Sequence, residues 1–449
     1  MNLKLIFISL GLLLTELLTA QDQTTELSLK QVIEIARMES PDAQTARHSF
    51  RSAYWNYKYY RANYLPSLSL TSDPNLNRAI NKITMGDGSV KFVEQNLLNT
   101  DLTLNLSQNL SWTGGSFFLE TSAQRMDLFS EHKYSWQTSP IMIGYRQSLF
   151  GYNSLKWDRR IEPVRYQEAK KSYVETLELV SANAINKFFA LATAQSDYDI
   201  ASFNYANADT LYRYAQGRYN IGTITENEML QLELNRLTEE TNRMNALIEM
   251  DNCMQELRSY LGIHEDRELR VLVSPQIPDF SVNLNEALAL AYENSPDIQT
   301  MERRKLESES AVVKARANAG LKADIYLRFG LTQTADKLPD AYRNLLDLQY
   351  VSIGISLPIL DWGRGKGQVR VARSNRDLVY TQVEQSRTDF ELNVRKLVKQ
   401  FNLQTQRVRI AARTDETAQR RSEVARKLYL LGKSTILDLN ASISEKNSA

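Results

Sequence analysis

Between Gly367 and Gly432 the chain runs for sixty-four residues without a glycine or a proline, and the stretch between Pro163 and Gly217 lacks both as well. A helix through the first of these would extend roughly 100 Å at 1.5 Å per residue. A compact globule of this length has a radius of gyration of only about 22 Å. The sequence therefore predicts very long helices and an elongated molecule. Along the earlier stretch, Tyr198, Ala201, Tyr205, Ala208, Tyr212, Ala215 and Tyr219 recur at spacings of three and four, continuing upstream through Leu191, Ala184, Val180 and Leu177. Large residues alternate with small ones. Such a seam suits side-by-side packing of long helices, although an ordinary buried helix face has the same period. On either reading the tyrosines are packing residues.

The long stretches end alike, in RYNIGTITENEML at 218–230 and LYLLGKSTILDLN at 428–440, with Tyr219 and Gly222 matching Tyr429 and Gly432. Glycine tolerates the left-handed conformation with which many helices stop, so both segments are expected to be tips of helical hairpins. A second correspondence points the same way. SPDAQT at 40–45 returns as SPDIQT at 295–300, and the register, an offset of 255 (296 minus 41), also aligns Leu29 with Leu284 and Arg61-Ala62-Asn63 with Arg316-Ala317-Asn318. That offset is far beyond solenoid periods and reads as a duplicated half-protein. Ser28 with Gln31, and Asn283 with Glu286, have the cap-then-acceptor spacing that opens a helix. Ser40 and Ser295 then cap a second helix, with Pro41 or Pro296 in its first turn and Asp42 or Asp297 favoured by its dipole.

Each half also contains strict alternation. Ala323, Ile325, Leu327, Phe329 and Leu331 are apolar between polar neighbours, and Val351, Ile353, Ile355, Leu357 and Ile359 repeat the pattern. The first half offers Leu68 and Leu70, then Ile141, Ile143, Tyr145 and Leu149, with an extra hairpin at 103–122 turning at Gly114-Gly115. Strands with one greasy and one polar face are what a membrane barrel requires. A soluble sheet with one buried face alternates too, but long flanking helices leave little to cover it. Four to six strands cannot close a barrel alone without open edges in lipid, so copies must combine.

Composition narrows the function. The net charge is +1, which gives no electrostatic reason to expect nucleic acid as a partner. Cys253 is the only cysteine, so an intrachain disulfide and a cysteine-based zinc site are excluded, and His48, His132 and His264 lack ligand-like spacing. Gly432-Lys433-Ser434 imitates the end of a phosphate loop, but the earlier glycine that loop needs falls on Lys427. GRGKG at 363–367 reads as a flexible strand-to-helix passage. With no nucleophile elbow or zinc helix motif, no enzyme and no cofactor is expected. Residues 1–20, MNLKLIFISLGLLLTELLTA, have the pattern of a secretory signal peptide, and no later run is long and apolar enough for a membrane-spanning helix.

Taken in order, these features resemble the TolC family of bacterial outer-membrane efflux proteins. The resemblance rests on the duplicated helix–strand–strand–helix halves, LPSLSL at 65–70, QSLFGYNSLKW at 147–157, SLPILDWGRGKGQV at 356–369 and the Tyr-x-x-Gly tips. It implies a mixed, mainly α fold: a twelve-stranded transmembrane β-barrel continued by a periplasmic helical barrel of coiled-coil-like helices, completed by trimerisation. The expected organisation is a signal peptide at 1–20, a first repeat at 21–280 and a second at 281–449. The first has strands near 66–76, 100–126 and 140–150 and a tip near 217–226. The second has strands near 321–333 and 349–360 and a tip near 430–436. Its last helix is expected to be shortened, since matching the first half would carry it to about residue 471 (261 plus 210, the spacing between the tip glycines).

The resemblance also implies partners and positions. The homotrimer sits in outer-membrane lipid and docks to a periplasmic adaptor and an inner-membrane pump. Adaptor contacts map to Ile221, Gly222, Thr223, Leu431, Gly432 and Lys433. Asp438 takes the place of a lumen-facing aspartate ring at the periplasmic entrance, while the position of a second ring is Ala441. Tyr429 and Glu228 match a constriction link between hairpins, whose basic partner is here Ser434. Three neighbouring copies of Asp438 should disfavour full ionisation and attract cations. The expected function is a passive exit duct of a tripartite efflux or type I secretion system. The competing reading is a secreted coiled-coil scaffold or adaptor without a barrel.

Overall fold

The computed structural model describes residues 25–264, 268–274, 280–431 and 433–448. The expected signal peptide and the tip glycine Gly432 lie outside the described residues. The chain divides into two compact units. In chain order its elements are β1 (Thr25–Ser28), α1 (Leu29–Glu39), α2 (Pro41–Ala62), β2 (Ser67–Thr71), β3 (Asn75–Thr84), β4 (Val90–Leu110), β5 (Gly115–Leu128), β6 (Lys133–Ser148) and α3 (Ser154–Asn220). There follow α4 (Glu226–Leu261), β7 (Leu269–Leu272), α5 (Leu284–Asn294), α6 (Pro296–Ala319), β8 (Lys322–Ala335), β9 (Leu346–Ser356), α7 (Arg364–Asn402), α8 (Gln404–Leu430) and α9 (Ile436–Ser448).

One unit, residues 1–50, 171–295 and 390–449, is helical among its described residues apart from the short parallel pair β1–β7. Its main core gathers Val32 and Ala36 of α1, Val180, Ala184, Phe188 and Leu191 of α3, Leu257 and Leu261 of α4, and Leu269 and Val271 of β7. Each of the two short helices is opened by local chemistry. Ser28 and Gln31 form a complete capping box, whereas Asn283 accepts from the backbone of Asn285 and Glu286 without a return bond. The helix restarts lie at the repeated hexapeptides. Ser40 ends α1 and its hydroxyl accepts from the Ala43 amide at 3.1 Å, so α2 begins at Pro41; Ser295 separates α5 from α6 in the same way. In the seam of α3 the small residues Ala201, Ala208 and Ala215 are buried. Two of the tyrosines are instead covered by arginines of α4, Arg243 lying 4.5 Å over Tyr205 and Arg236 5.6 Å over Tyr212. The seven-residue step on both helices makes this an antiparallel ladder.

The glycine-free run after Gly367 departs from expectation. It is two helices, α7 and α8, separated at Leu403. Main-chain bonding nevertheless continues past the break, Leu403 N–H donating to Lys399 and Arg407 N–H to Leu403. Beside it the Asn402 amide grips the Val282 backbone from both sides, accepting at 2.9 Å and donating at 3.0 Å. A long-range polar clasp thus coincides with the interruption.

The other unit, residues 51–170 and 296–389, holds a seven-stranded antiparallel sheet ordered β2-β4-β5-β6-β8-β9, with β3 also pairing β4. Because β2 and β3 lie end to end along the 21-residue β4, the sheet has six ladder positions. β6 starts at Lys133, well before the expected 140, because a bulge at Ser139–Pro140 absorbs the proline that lacks an N–H to donate. β9 ends at Ser356, ahead of Pro358. GRGKG is only partly a passage. Trp362 and Gly363 have positive φ, but Gly365 and Gly367 belong to α7, whose entry is held by Asp361 accepting from the Gly363 and Gly365 amides at 2.9 and 2.8 Å. On the helices of this unit, Glu168 of α3 takes a bidentate grip from Arg303 of α6 at 2.5 and 3.0 Å and a hydroxyl bond from Thr300 at 2.9 Å. Arg303 reaches Glu307 as well, and Arg165 closes the network onto Glu307 at 2.8 Å.

Candidate functional site

The first hairpin tip is built by the end of α3. Thr223 N–H donates to Arg218 C=O at 2.9 Å and Gly222 N–H to Tyr219 C=O at 2.8 Å, the paired bonds of a Schellman motif, with Gly222 at φ +76°. Thr225 then caps α4 in a reciprocal box: the Glu228 amide donates to its hydroxyl at 3.3 Å, and the Glu228 carboxylate accepts from the Thr225 amide at 3.0 Å. The described residues of the second tip repeat the longer of these bonds and the cap. Lys433 N–H donates to Leu428 C=O at 2.9 Å. Thr435 accepts from the Asp438 amide at 3.2 Å, while the Asp438 carboxylate takes the Thr435 hydroxyl at 2.8 Å and amide at 3.4 Å, with Ser434 at 3.3 Å.

Glu228 and Asp438 therefore hold one structural position, third in the first turn of the return helix and 210 residues apart, like the tip glycines. The sequence reading treated them separately. The signal was present in Thr-x-x-Glu at 225–228 and Thr-x-x-Asp at 435–438. Hydrogen bonds from Thr435, side chain and then backbone, pull the exposed Asp438 carboxyl below the usual aspartate range. That is opposite in sign to the repulsion expected of three neighbouring copies. Tyr429 is half-buried against Leu211, Ala215, Leu232 and Leu439. Burial pushes its hydroxyl pKa up, the Arg218 charge opposes this and the Glu228 charge adds to it. Of the remaining tip residues, Ile221 and Leu431 are apolar and 74% and 69% exposed, and Thr223 and Lys433 are exposed beside them.

The sheet supplies the second functional surface. Reading across the ladder, Leu68, Leu106, Leu119, Ile143 and Phe329 stand in one row, and Phe117, Tyr145, Leu327 and Val351 in the next. This face is apolar and open, Leu68 being 66% and Ile355 72% exposed. From Phe117 to Ala123 it runs about 20 Å along β5, close to the ~25 Å apolar band of outer-membrane barrels. Tyr134 and Trp136, both beneath the Arg125 guanidinium, edge the band on one side, and exposed Trp112 and Trp362 lie at the helix-bearing end. The opposite face carries Ser107, Asn105, Glu120 and Arg328, with a 3.7 Å ion pair between the last two. Phe118 lies flat there over Gly144, stacked 5.9 Å from Tyr326. No helix among the described residues is long and apolar enough to cross a membrane.

A family profile described as outer membrane efflux protein matches residues 32–263 and 287–446, taking in both hairpins and every strand of the seven-stranded sheet. The chain belongs to the outer membrane efflux protein family. Among relatives, it is 24% identical over 422 residues to the toxin and drug export protein A of Aggregatibacter actinomycetemcomitans, covering 89% of this chain and 88% of that one. To the multidrug resistance outer membrane protein MdtQ of Escherichia coli it is 21% identical, covering 79% and 74%. Solved structures share the fold. The Campylobacter jejuni CmeC outer membrane channel superposes with a TM-score of 0.68 at 16% identity over 94% of this chain and 80% of that one. The Vibrio cholerae outer membrane protein VceC gives 0.65 at 14% identity over 94% and 90%. Efflux proteins of this family are passive channels rather than enzymes, and they form trimers that work with an adaptor and an inner-membrane pump. This efflux protein is an outer-membrane channel, and the scaffold alternative is not favoured.

Proposed function

We propose that three copies of this efflux protein close their sheets into one transmembrane barrel and set their helical hairpins together as a periplasmic tunnel. The assembly would be the exit duct of an export system whose cargo is of the drug or toxin kind for which its relatives are named. The observation that carries this is the open apolar face, bounded by unpaired edges at β2–β3 and at β9. Lipid would cover the face and a neighbouring copy would satisfy each edge. The duplicated organisation, 21–280 and 281–449, supplies two hairpins per copy and thus six around the tunnel. Ile221, Gly222, Thr223, Leu431, Gly432 and Lys433 form the adaptor-contacting rim. Asp438, Glu228 and Tyr429 form the gate behind it, Asp438 combining a helix-capping bond with a lumen charge. Selectivity arises from pore width and from rings of like residues repeated by the three-fold axis. Reconstitution of the purified protein in planar bilayers, with native mass spectrometry of the same sample, tests the reading. Trimers with single-channel conductance are expected; a monomer that leaves the bilayer insulating would refute it.

A further inference from the structure

The strand count departs from what the resemblance implies. A twelve-stranded barrel takes four strands from each of three copies, yet this sheet has six ladder positions. The two additional positions are β4 and β5. They are not an appendage: β4 pairs β2 on one side and β5 on the other, and β5 pairs β6 from Ser116–Arg146 to Leu128–Lys133. β2 and β6, which would be neighbours in a four-stranded stave, are held two strands apart.

Side-chain chemistry decides whether such a hairpin belongs in a wall or inside a lumen. A plug surrounded by water has no reason to be greasy on one face only. β4 and β5 place Leu102, Leu104, Leu106, Phe117, Leu119 and Ala123 on the open apolar face and Thr103, Asn105, Ser107, Ser116, Glu120 and Ser122 on the other. Outside the bulge at Ser139–Pro140, their apolar row Leu106–Leu119 runs on to Leu68 on one side and to Ile143 and Phe329 on the other. Polarity permits the insertion, because two antiparallel strands added between β2 and β6 leave every neighbour antiparallel.

We infer that β4 and β5 are wall strands, so that this protein closes as an eighteen-stranded barrel, three times six, whose mouth admits solutes too bulky for a twelve-stranded one. The inference rests on the trimeric channel proposed above. Barrel diameter grows roughly linearly with strand number, so the cross-section is about 2.25-fold that of twelve strands, in the range where porins hold an aqueous channel. The lumen side of the added strands is mainly small and polar, which keeps that width open. Size selection then falls to the helical end and not to the barrel.

Paired cysteines in a Cys253→Ser background, oxidised in intact outer membranes, test the order of the wall. Leu70→Cys with Leu104→Cys, and Leu119→Cys with Ile143→Cys, are direct partners and are expected to cross-link, whereas Leu70→Cys with Ile143→Cys is not. A 70–143 cross-link in a protein that is trimeric by native mass spectrometry overturns the wide barrel while leaving the trimeric channel intact. A copy number other than three overturns the strand count together with the reading beneath it. A variant lacking residues 78–128 rejoins β2 and β6 through the 129–132 turn. Polyethylene glycols partitioning from the outer face should report roughly twofold less barrel cross-section in that variant, and equal size cut-offs would overturn the inference.

Discussion

Gly217 and Gly222 lie five residues apart near the end of α3, and neither has any atom within 4 Å of where a Cβ would sit. Space therefore cannot distinguish them; backbone conformation can. Gly217 is helical, and alanine there removes glycine's penalty in a helix interior, a gain of about 0.8–1 kcal/mol. Gly222 has φ +76°, where an L-residue brings its Cβ against the following carbonyl at a cost of roughly 1–2 kcal/mol. The Thr223 amide, bonded to Arg218 only while the motif is closed, reports both changes by hydrogen exchange. Gly222→Ala should speed its exchange about 5–30-fold, and Gly217→Ala should slow it by roughly four- to fivefold if the last turn opens as a unit with the tip. Were Gly222→Ala to leave exchange unchanged, or to slow it as Gly217→Ala does, the left-handed stop would not be what holds the tip.

Asp438→Asn keeps an acceptor for Thr435 but removes the charge, whereas Asp438→Ala removes both. In single-channel recordings Asn should lower cation preference with conductance steps as sharp as wild type, and Ala should add flicker; an unaltered preference in both would end the gate role. Burial is the largest single influence on the Glu168 carboxyl and pushes its pKa up, but hydrogen bonds from Arg303 and Thr300 outweigh it and the net shift is downward. Its stabilisation is therefore present above the ordinary glutamate range and is lost as pH falls through the depressed value. Glu168→Gln should cost about 1.5–3 kcal/mol at pH 7, seen as a lower melting temperature, with the gap to wild type closing as the pH falls below the ordinary glutamate range. Gly144→Ala would drive a methyl into the Phe118 ring, costing about 1–3 kcal/mol. Adding Phe118→Leu should recover part of that loss in the same melt, and simple additivity of the two changes would contradict the contact.

What the sequence made legible was local. Ser40-Pro41 and Ser295-Pro296 carry their own helix-restart chemistry, and Tyr219-x-x-Gly222 announces a left-handed stop, so neither needed the rest of the molecule. The alternating residues from Ala323 to Leu331 and from Val351 to Ile355 share a face because side-chain direction in a strand has a period of two. What escaped reading was long-range. The break at Leu403 coincides with the Asn402 clasp on Val282, 120 residues away in sequence. β3, NLNRAINKIT, has no clean alternation and is defined by its pairing with β4. The strand expected from 140 starts at Lys133, because a bulge at Ser139–Pro140 lets the ladder continue past the proline. Glu228 and Asp438 were found singly because one was sought as a link and the other as a ring.

The apolar rows of the sheet bear on how a newly exported copy reaches its destination. Helical contacts close early because they join near neighbours in the chain, whereas the ladder from β2 to β9 must gather segments nearly three hundred residues apart. A travelling chain would thus carry finished rods and an unfinished, sticky ribbon through water. If the sheet enters lipid as proposed, the chain would need an escort that grips oily alternation loosely enough to let go, and its final folding step would be the moment the hydrocarbon takes over that grip.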